Sequence, residues 1–223
     1  MWQDFVNGGS NYKLSVVTLP LITRHHIKDN QYKKFAREEI KGRIEALNEF
    51  KNTIDYLYNA PCIALWTIFN EGWGQFDSKK VYDELVKIDN ARLYDTASGW
   101  HDQKFSEIKS YHVYFTGFHF LKTRKRATIL SEFGGLVYTI EGHHMDGNHV
   151  YTKYRTKEKF IKAYLKLINR DVIKQINRGL TASIYTQLSD VEEEENGFVT
   201  FDREVIKVDT DIIKNINDKI NLD

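Results

Sequence analysis

Apolar positions along the chain switch between two periods. Residues 62–69, "CIALWTIF", form a nearly continuous apolar run, too short for a typical helix. Such a run predicts a strand covered on both faces. Upstream, Phe35, Ala36, Ile40, Ile44, Leu47, Ile54 and Leu57 recur at helical spacing, with charge between them. They predict a helix over about 30–59, closed by Asn59-Ala60-Pro61. Asp77 stands where it can cap the next helix, which runs through Val81, Leu85 and Ile88. Short strands are predicted at "MWQDFV" (1–6), "RLYDTA" (92–97), "SYHVY" (110–114), "ATILSE" (127–132) and "ASIYTQ" (182–187). Phe160, Ala163, Tyr164, Leu167, Ile168 and Val172 place a helix at about 157–178, ending at Gly179.

Alternating strands and helices predict an α/β protein with one parallel sheet and helices outside it. The length, 223 residues, suits one domain with one sizeable core. Hydrophobic residues at 41% and charged residues at 28% are ordinary for a globular chain. A formal net charge of +1 gives no electrostatic case for nucleic acid or an anionic membrane as partner. No stretch approaches the ~18 apolar residues of a membrane span. "MWQDFVNGG" lacks the basic and apolar regions of a signal peptide, so a cytoplasmic chain is expected as it stands. A periplasmic or secreted protein remains open if an N-terminal part precedes it. Cys62 is the single cysteine, lies in an apolar run, and is expected to be buried and inert.

Parallel α/β proteins place their chemistry at the C-terminal ends of strands. Four of the predicted strands stop at, or carry near their ends, polar residues. One ends in Asn70-Glu71, another carries His112 and Tyr114, a third ends in Ser131-Glu132, and the last runs into Gln187 and Asp190. Glu71 and Glu132 thus end two strands of the expected sheet, each followed by glycine and aromatics. A carboxyl pair of this kind serves glycoside hydrolysis, one group protonated to donate to the leaving oxygen and one ionised to attack. An apolar aromatic setting raises the pKa of the first, and aromatic faces pack on the C–H faces of a sugar. A lone strand-end glutamate reads better as a cap or ion-pair partner; two in the same context point to function.

"NEGWGQFD" and "SEFGG" resemble the two active-site motifs of glycoside hydrolase family 2, the β-galactosidase and β-glucuronidase family. "MWQDFVNGG", "SGWHD" and "YTQLSDVEEEENGFVTFDRE" also resemble segments of its catalytic barrel, in the same order. That family's catalytic domain is a (β/α)8 TIM barrel, with the acid/base Glu after Asn at the end of strand four and the nucleophile Glu ending strand seven. The resemblance implies Glu71 as acid/base, Glu132 as nucleophile, Asn70 as a ligand of the sugar 2-hydroxyl, and Tyr114 as the group that keeps Glu132 ionised. It implies no cofactor. Counting strands puts Glu71 on the second and Glu132 on the fifth. They match the family if residues 1–223 are a truncated barrel equivalent to strands three to eight. Its first two strands, and the family's sugar-binding and immunoglobulin-like domains, are then expected to be absent. Open edges at "MWQDF" and "ASIYTQ" would invite self-association.

Trp73 and Trp100 follow strand ends and are candidate sugar platforms, with core packing the alternative; Trp66, inside its strand, is expected in the core. His112 is a further candidate for substrate binding. His143, His144 and His149 in "EGHHMDGNH" fit no strong metal signature and are expected in a loop lining or covering the pocket. Glu192 to Glu195 are expected to be a solvated loop, and "KTRKR" (122–126) a solvated helix end. The reading is a retaining β-glycosidase acting on a carbohydrate substrate. A catalytically incomplete carbohydrate-binding fragment is the alternative, and a metal-dependent hydrolase using the histidine loop a third.

Overall fold

The computed structural model describes residues 1–8, 12–23, 25–120, 125–145 and 151–220. They form a mixed α/β protein with short, mainly parallel sheets. Two compact units divide it: Met1–Tyr111 with Arg124–Ala127, and His112–Thr123 with Thr128–Asp223.

The first unit holds a parallel sheet of β1 (Trp2–Asp4), β2 (Leu65–Thr67) and β3 (Leu93–Asp95), in that order. Gln3, Trp66 and Tyr94 lie side by side across it. All three β2 residues are buried, as the apolar run predicts. Helix α2 (Ile40–Leu57) buries Ala46, Phe50 and Ile54, one per turn. Phe50 stacks on Phe5, which stacks on Trp66.

Several expectations are corrected here. Phe35 and Ala36 lie before α2; Ala36 sits at φ +57, which no helix tolerates, and Phe35 is buried with Val16 and Ile27 instead. Helix α1 (Ser15–Thr23) escaped the periodicity because it is apolar all round and contains Pro20. Pro20 has no N–H, so the Val16 carbonyl four residues back loses its helical donor. His101 Nε2, 2.7 Å away, supplies the replacement. Asp77 occupies the cap position of α3 (Ser78–Leu85) in a left-handed conformation, but its side chain makes no cap bond. It accepts from the Tyr32 hydroxyl, and Asp29 Oδ2 takes the Ser78 N–H at 2.8 Å. Cys62 is exposed. At the entry to β2 exposure alternates, with Ile63 and Leu65 inward and Cys62 and Ala64 outward.

A second three-stranded sheet has the order β4 (Ile108–Val113), β5 (Ala127–Gly134), β8 (Leu180–Thr186), and β5 from Thr128 onward and β8 belong to the second unit. β5 and β8 run parallel, with a register shift between Leu130 and Phe133. A second pair, β6 (Leu136–Val137) and β7 (Thr152–Lys153), was not expected. Helix α4 (Lys157–Ile168) starts at Thr156, whose hydroxyl accepts from Lys159 N–H. It passes through a π-turn (Asn169–Ile173) into α5 (Lys174–Ile176), and Gly179 follows at φ +100. Phe160, Tyr164, Leu167, Ile168 and Val172 are buried, matching the predicted face. Helix α6 (Thr210–Asn217), capped by Asp209, completes the unit.

The expectation of one sheet therefore fails. The described strands form sheets of three, three and two, and none closes into a barrel. β1 and β8 each lie at an edge of their sheet. The acidic run is also corrected at one position: Glu192 to Glu194 are exposed, but Glu195 is buried and accepts from the Thr139 hydroxyl. Of "KTRKR", residues 122–124 lie outside the described residues.

Candidate active site

In the first unit the sheet's C-terminal end is polar. Beyond β2, Asn70 bridges to Ser98 beyond β3, and Glu71 N–H donates to the Ser98 carbonyl at 3.0 Å. The chain then turns sharply. Glu71 has φ +52 and Gly72 φ +74, and Trp73 N–H returns to the Asn70 carbonyl at 2.9 Å. Gly72 answers a packing need: a Cβ there would lie 2.4 Å from His101 Cδ2. At Gly74 a Cβ would strike the Gly8 carbonyl, so Gly8 and the segments "NEGWG" and "SGWHD" pack on one another.

Glu71 is half-buried on this turn. Asn70 Oδ1 is buried and has no hydrogen-bond partner among the described residues. Asn7, beyond β1, was missed by the sequence reading. In the amide orientation that suits its surroundings it donates to the Ile68 carbonyl (3.2 Å) and accepts from Asn70 N–H (3.1 Å). The signal that finds Asn70, a polar residue where an apolar run stops, would have found Asn7. Trp73 is 45% exposed and stacks on Tyr12 at 6.0 Å between ring centroids. Trp100 is buried, and Trp66 is in the core with Nε1 donating to Asp89 (2.9 Å).

His101 organises this unit from inside. It is fully buried; its Nδ1 accepts from Ile27 N–H at 3.0 Å, and its Nε2–H reaches Val16. Those bonds fix a neutral tautomer. Burial lowers its pKa to about 4, against a smaller upward pull from the Val16 carbonyl.

In the second unit Glu132 sits in the irregularity of β5. Leu130 pairs Ser183 and Phe133 pairs Tyr185, so Ser131 and Glu132 face a single residue of β8. This is a bulge, a device that re-aims a side chain. The strand continues to Gly134, so Glu132 lies within it rather than at its end. The Tyr114 hydroxyl donates to Glu132 Oε2, and His112 Nδ1 is 3.5 Å from the same oxygen. Burial, then the Glu132 charge, pushes the Tyr114 pKa up, so Tyr114 stays a donor. Tyr151 packs beside Tyr114 at 5.2 Å. The structure thus brings Tyr114 and His112 to Glu132, and sets Asn70, Glu71 and Trp73 on one turn.

Two histidines of "EGHHMDGNH" lie among the described residues. His143 Nδ1 lies 2.7 Å from Asp202 Oδ2 and 3.9 Å from Glu204 Oε2, and His144 Nδ1 lies 3.6 Å from Glu195 Oε1. His149 lies outside the described residues. Asp190, singled out at the end of the last strand, has a structural use. It is buried against Lys207, whose Nζ is 2.8 and 2.7 Å from its two oxygens.

No known family profile and no curated relative matches the chain. Solved structures do. The β-D-glucuronidase of Dictyoglomus thermophilum superposes at a TM-score of 0.55 with 16% identity, over 82% of this chain and 36% of its own. A family 2 β-galacturonidase from Eisenbergiella tayi, bound to galacturonate, gives 0.51 and 15%, over 92% of this chain and 40% of its own. The Faecalibacterium prausnitzii β-glucuronidase gives 0.54 and 13%, over 78% and 35%. The fold is like that of glycoside hydrolase family 2. At these identities the likeness is one of fold. The chain spans well under half the length of the enzymes it matches.

Proposed function

We propose that the chain is the catalytic portion of a retaining β-glycosidase, with residues 1–223 equivalent to strands three to eight of a (β/α)8 barrel. The observation that carries this reading is the setting of Glu132: a half-buried carboxylate in a strand bulge, accepting from a tyrosine hydroxyl held as a donor. A hydrogen bond to the charged form keeps a nucleophile ionised. Glu132 attacks the anomeric carbon as the bond to the leaving oxygen breaks, and Glu71 gives that oxygen its proton. Glu71 then takes a proton from water, which attacks the same carbon and releases Glu132. The unpartnered Asn70 Oδ1 supports a contact with a sugar hydroxyl, and exposed Trp73 one with a sugar face. His112, 3.5 Å from Glu132 Oε2, supports that carboxylate, and Trp100 is kept as a candidate for sugar binding. No cofactor takes part. The strand edges at β1 and β8 favour self-association or cover by further chain.

The fold likeness makes β-glucuronides and β-galacturonides the first substrates to try. The decisive test is trapping with an activated 2-fluoro-β-glycoside, followed by mass spectrometry of the peptide containing Glu132. A single sugar adduct on Glu132, absent in Glu132→Gln, is expected. Labelling elsewhere, or equal labelling of the variant, overturns the nucleophile role. Saturable sugar binding without adduct would favour the carbohydrate-binding fragment.

A further inference from the structure

We propose that His143, Asp202 and Glu204 of the second unit form a site for a divalent transition-metal cation, Zn²⁺ by its donor set, which ties the segment after β6 to the turn before α6. His143 Nδ1 lies 2.7 Å from Asp202 Oδ2 and 3.9 Å from Glu204 Oε2, and the three donor atoms all fall within 4.8 Å of one another. One imidazole and two carboxylates are ordinary ligands for Zn²⁺. Two donors held about 2.1 Å from one ion at the tetrahedral angle stand roughly 3.4 Å apart. The two His143 distances straddle that value. Glu204 has the larger adjustment to make, and its side chain, 72% exposed, has room to make it.

An ion pair alone does not account for this arrangement. Nδ1 carries at most one proton, so it can serve one carboxylate. The 2.7 Å contact with Asp202 uses it, and Glu204 at 3.9 Å is too far for a hydrogen bond. Two like charges are thus gathered at one nitrogen. Arg203, which separates them in sequence, turns its guanidinium back to the Thr200 and Phe201 carbonyls. A dication in place of the Nδ1 proton bonds the ring and both carboxylates at once. The donors also sit on a braced frame. Val199 pairs with Ile206, and Thr200 N–H donates to the Val205 carbonyl at 3.0 Å. Asp202 Oδ1 accepts from the Thr200 hydroxyl (2.6 Å) and the Glu204 N–H (3.1 Å), which leaves Oδ2 to act as the ligand atom. Such outer bonds orient a metal-binding carboxylate. The Thr200 hydroxyl, and after it His143, hold the Asp202 carboxyl down at about 2, so it is ionised. The inference stands apart from the glycosidase reading, because none of these residues belongs to the proposed machinery.

The test titrates Zn²⁺ into the chelator-stripped full chain by calorimetry and follows amide exchange in parallel. One ion per chain should bind saturably and slow exchange in residues 140–145 and 199–206. Glu204→Gln alters an exposed side chain and so keeps the fold; it and His143→Ala should each weaken binding about 10-fold or more and remove the protection. His25→Ala, an exposed histidine elsewhere, should change neither. Mg²⁺ should give no protection, since it prefers an all-oxygen shell. Absence of saturable binding, full affinity in either site variant, protection that falls outside the two segments, or equal protection by Mg²⁺ would each overturn the proposal.

Discussion

Acidification should unfold the first unit through His101, and the size of the effect can be worked out in advance. The ring is neutral and fully enclosed, accepting at Nδ1 and donating at Nε2, so a second proton on Nδ1 would expel the Ile27 N–H. Its pKa of about 4 compares with 6.5 in an unfolded chain. Between those values the unfolded state binds the extra proton and the folded state does not. The contribution is therefore fully present above about pH 6.5 and lost as pH falls towards 4. From neutral pH to about pH 4.5 the loss is roughly 2–3 kcal/mol, at ~1.4 kcal/mol per unit. That is a large share of a typical domain's ~5–15 kcal/mol. All four tryptophans, at positions 2, 66, 73 and 100, lie in the first unit, so tryptophan emission during urea unfolding reports that unit alone. His101→Gln can still donate to Val16 but cannot titrate. It should be less stable than wild type near neutral pH, by about 1–3 kcal/mol for the stranded Ile27 N–H. Its stability should then fall less steeply on acidification, by close to one proton. Parallel pH dependences for the two proteins, or an NMR pKa for His101 near 6.5, would refute the reasoning.

Gly72→Ala places a methyl against His101 on a backbone at φ +74, and should lower first-unit stability by about 2 kcal/mol or more in the same urea assay; an unchanged midpoint would show that the turn can relax. Lys207→Met leaves Asp190 buried without its counter-charge and should cost the second unit about 3–5 kcal/mol. Amide exchange over residues 188–200 reads this, and a loss below ~1 kcal/mol would mean Asp190 takes up a proton or water at little cost. Tyr114→Phe removes a hydrogen bond to the charged Glu132 and should slow trapping at Glu132 by about 10-fold or more; wild-type labelling kinetics would dismiss its role. In a form that turns over aryl glycosides, azide should restore Glu71→Ala and give a β-azide product. Full activity of that variant without azide would remove Glu71 as the acid/base.

Local patterns in the sequence were enough to find what depends on a face or a strand end. The unbroken run through Leu65, Trp66 and Thr67 announced a doubly covered strand, and the spacing from Phe160 to Val172 a buried helical face. Asn70 and Glu71 stood out because a carboxylate does not end an apolar run by accident of core packing. Tertiary structure decided whatever rests on partners far along the chain. The cap of α3 comes from Asp29 rather than Asp77, across 49 residues. The carbonyl that Pro20 leaves open is satisfied by His101, 85 residues on from Val16, and that same ring dictates a glycine at position 72. Cys62 faces out and Glu195 faces in, against the character of their neighbours, because alternation at a strand entry and a distant threonine outweigh composition. The bulge that aims Glu132 exists only in the pairing of β5 with β8. Periodicity is a property of adjacent residues and can be read in one dimension. Register, capping from afar and the burial of a single charge are settled when segments meet, and the energies that settle them are those of contacts no local window contains.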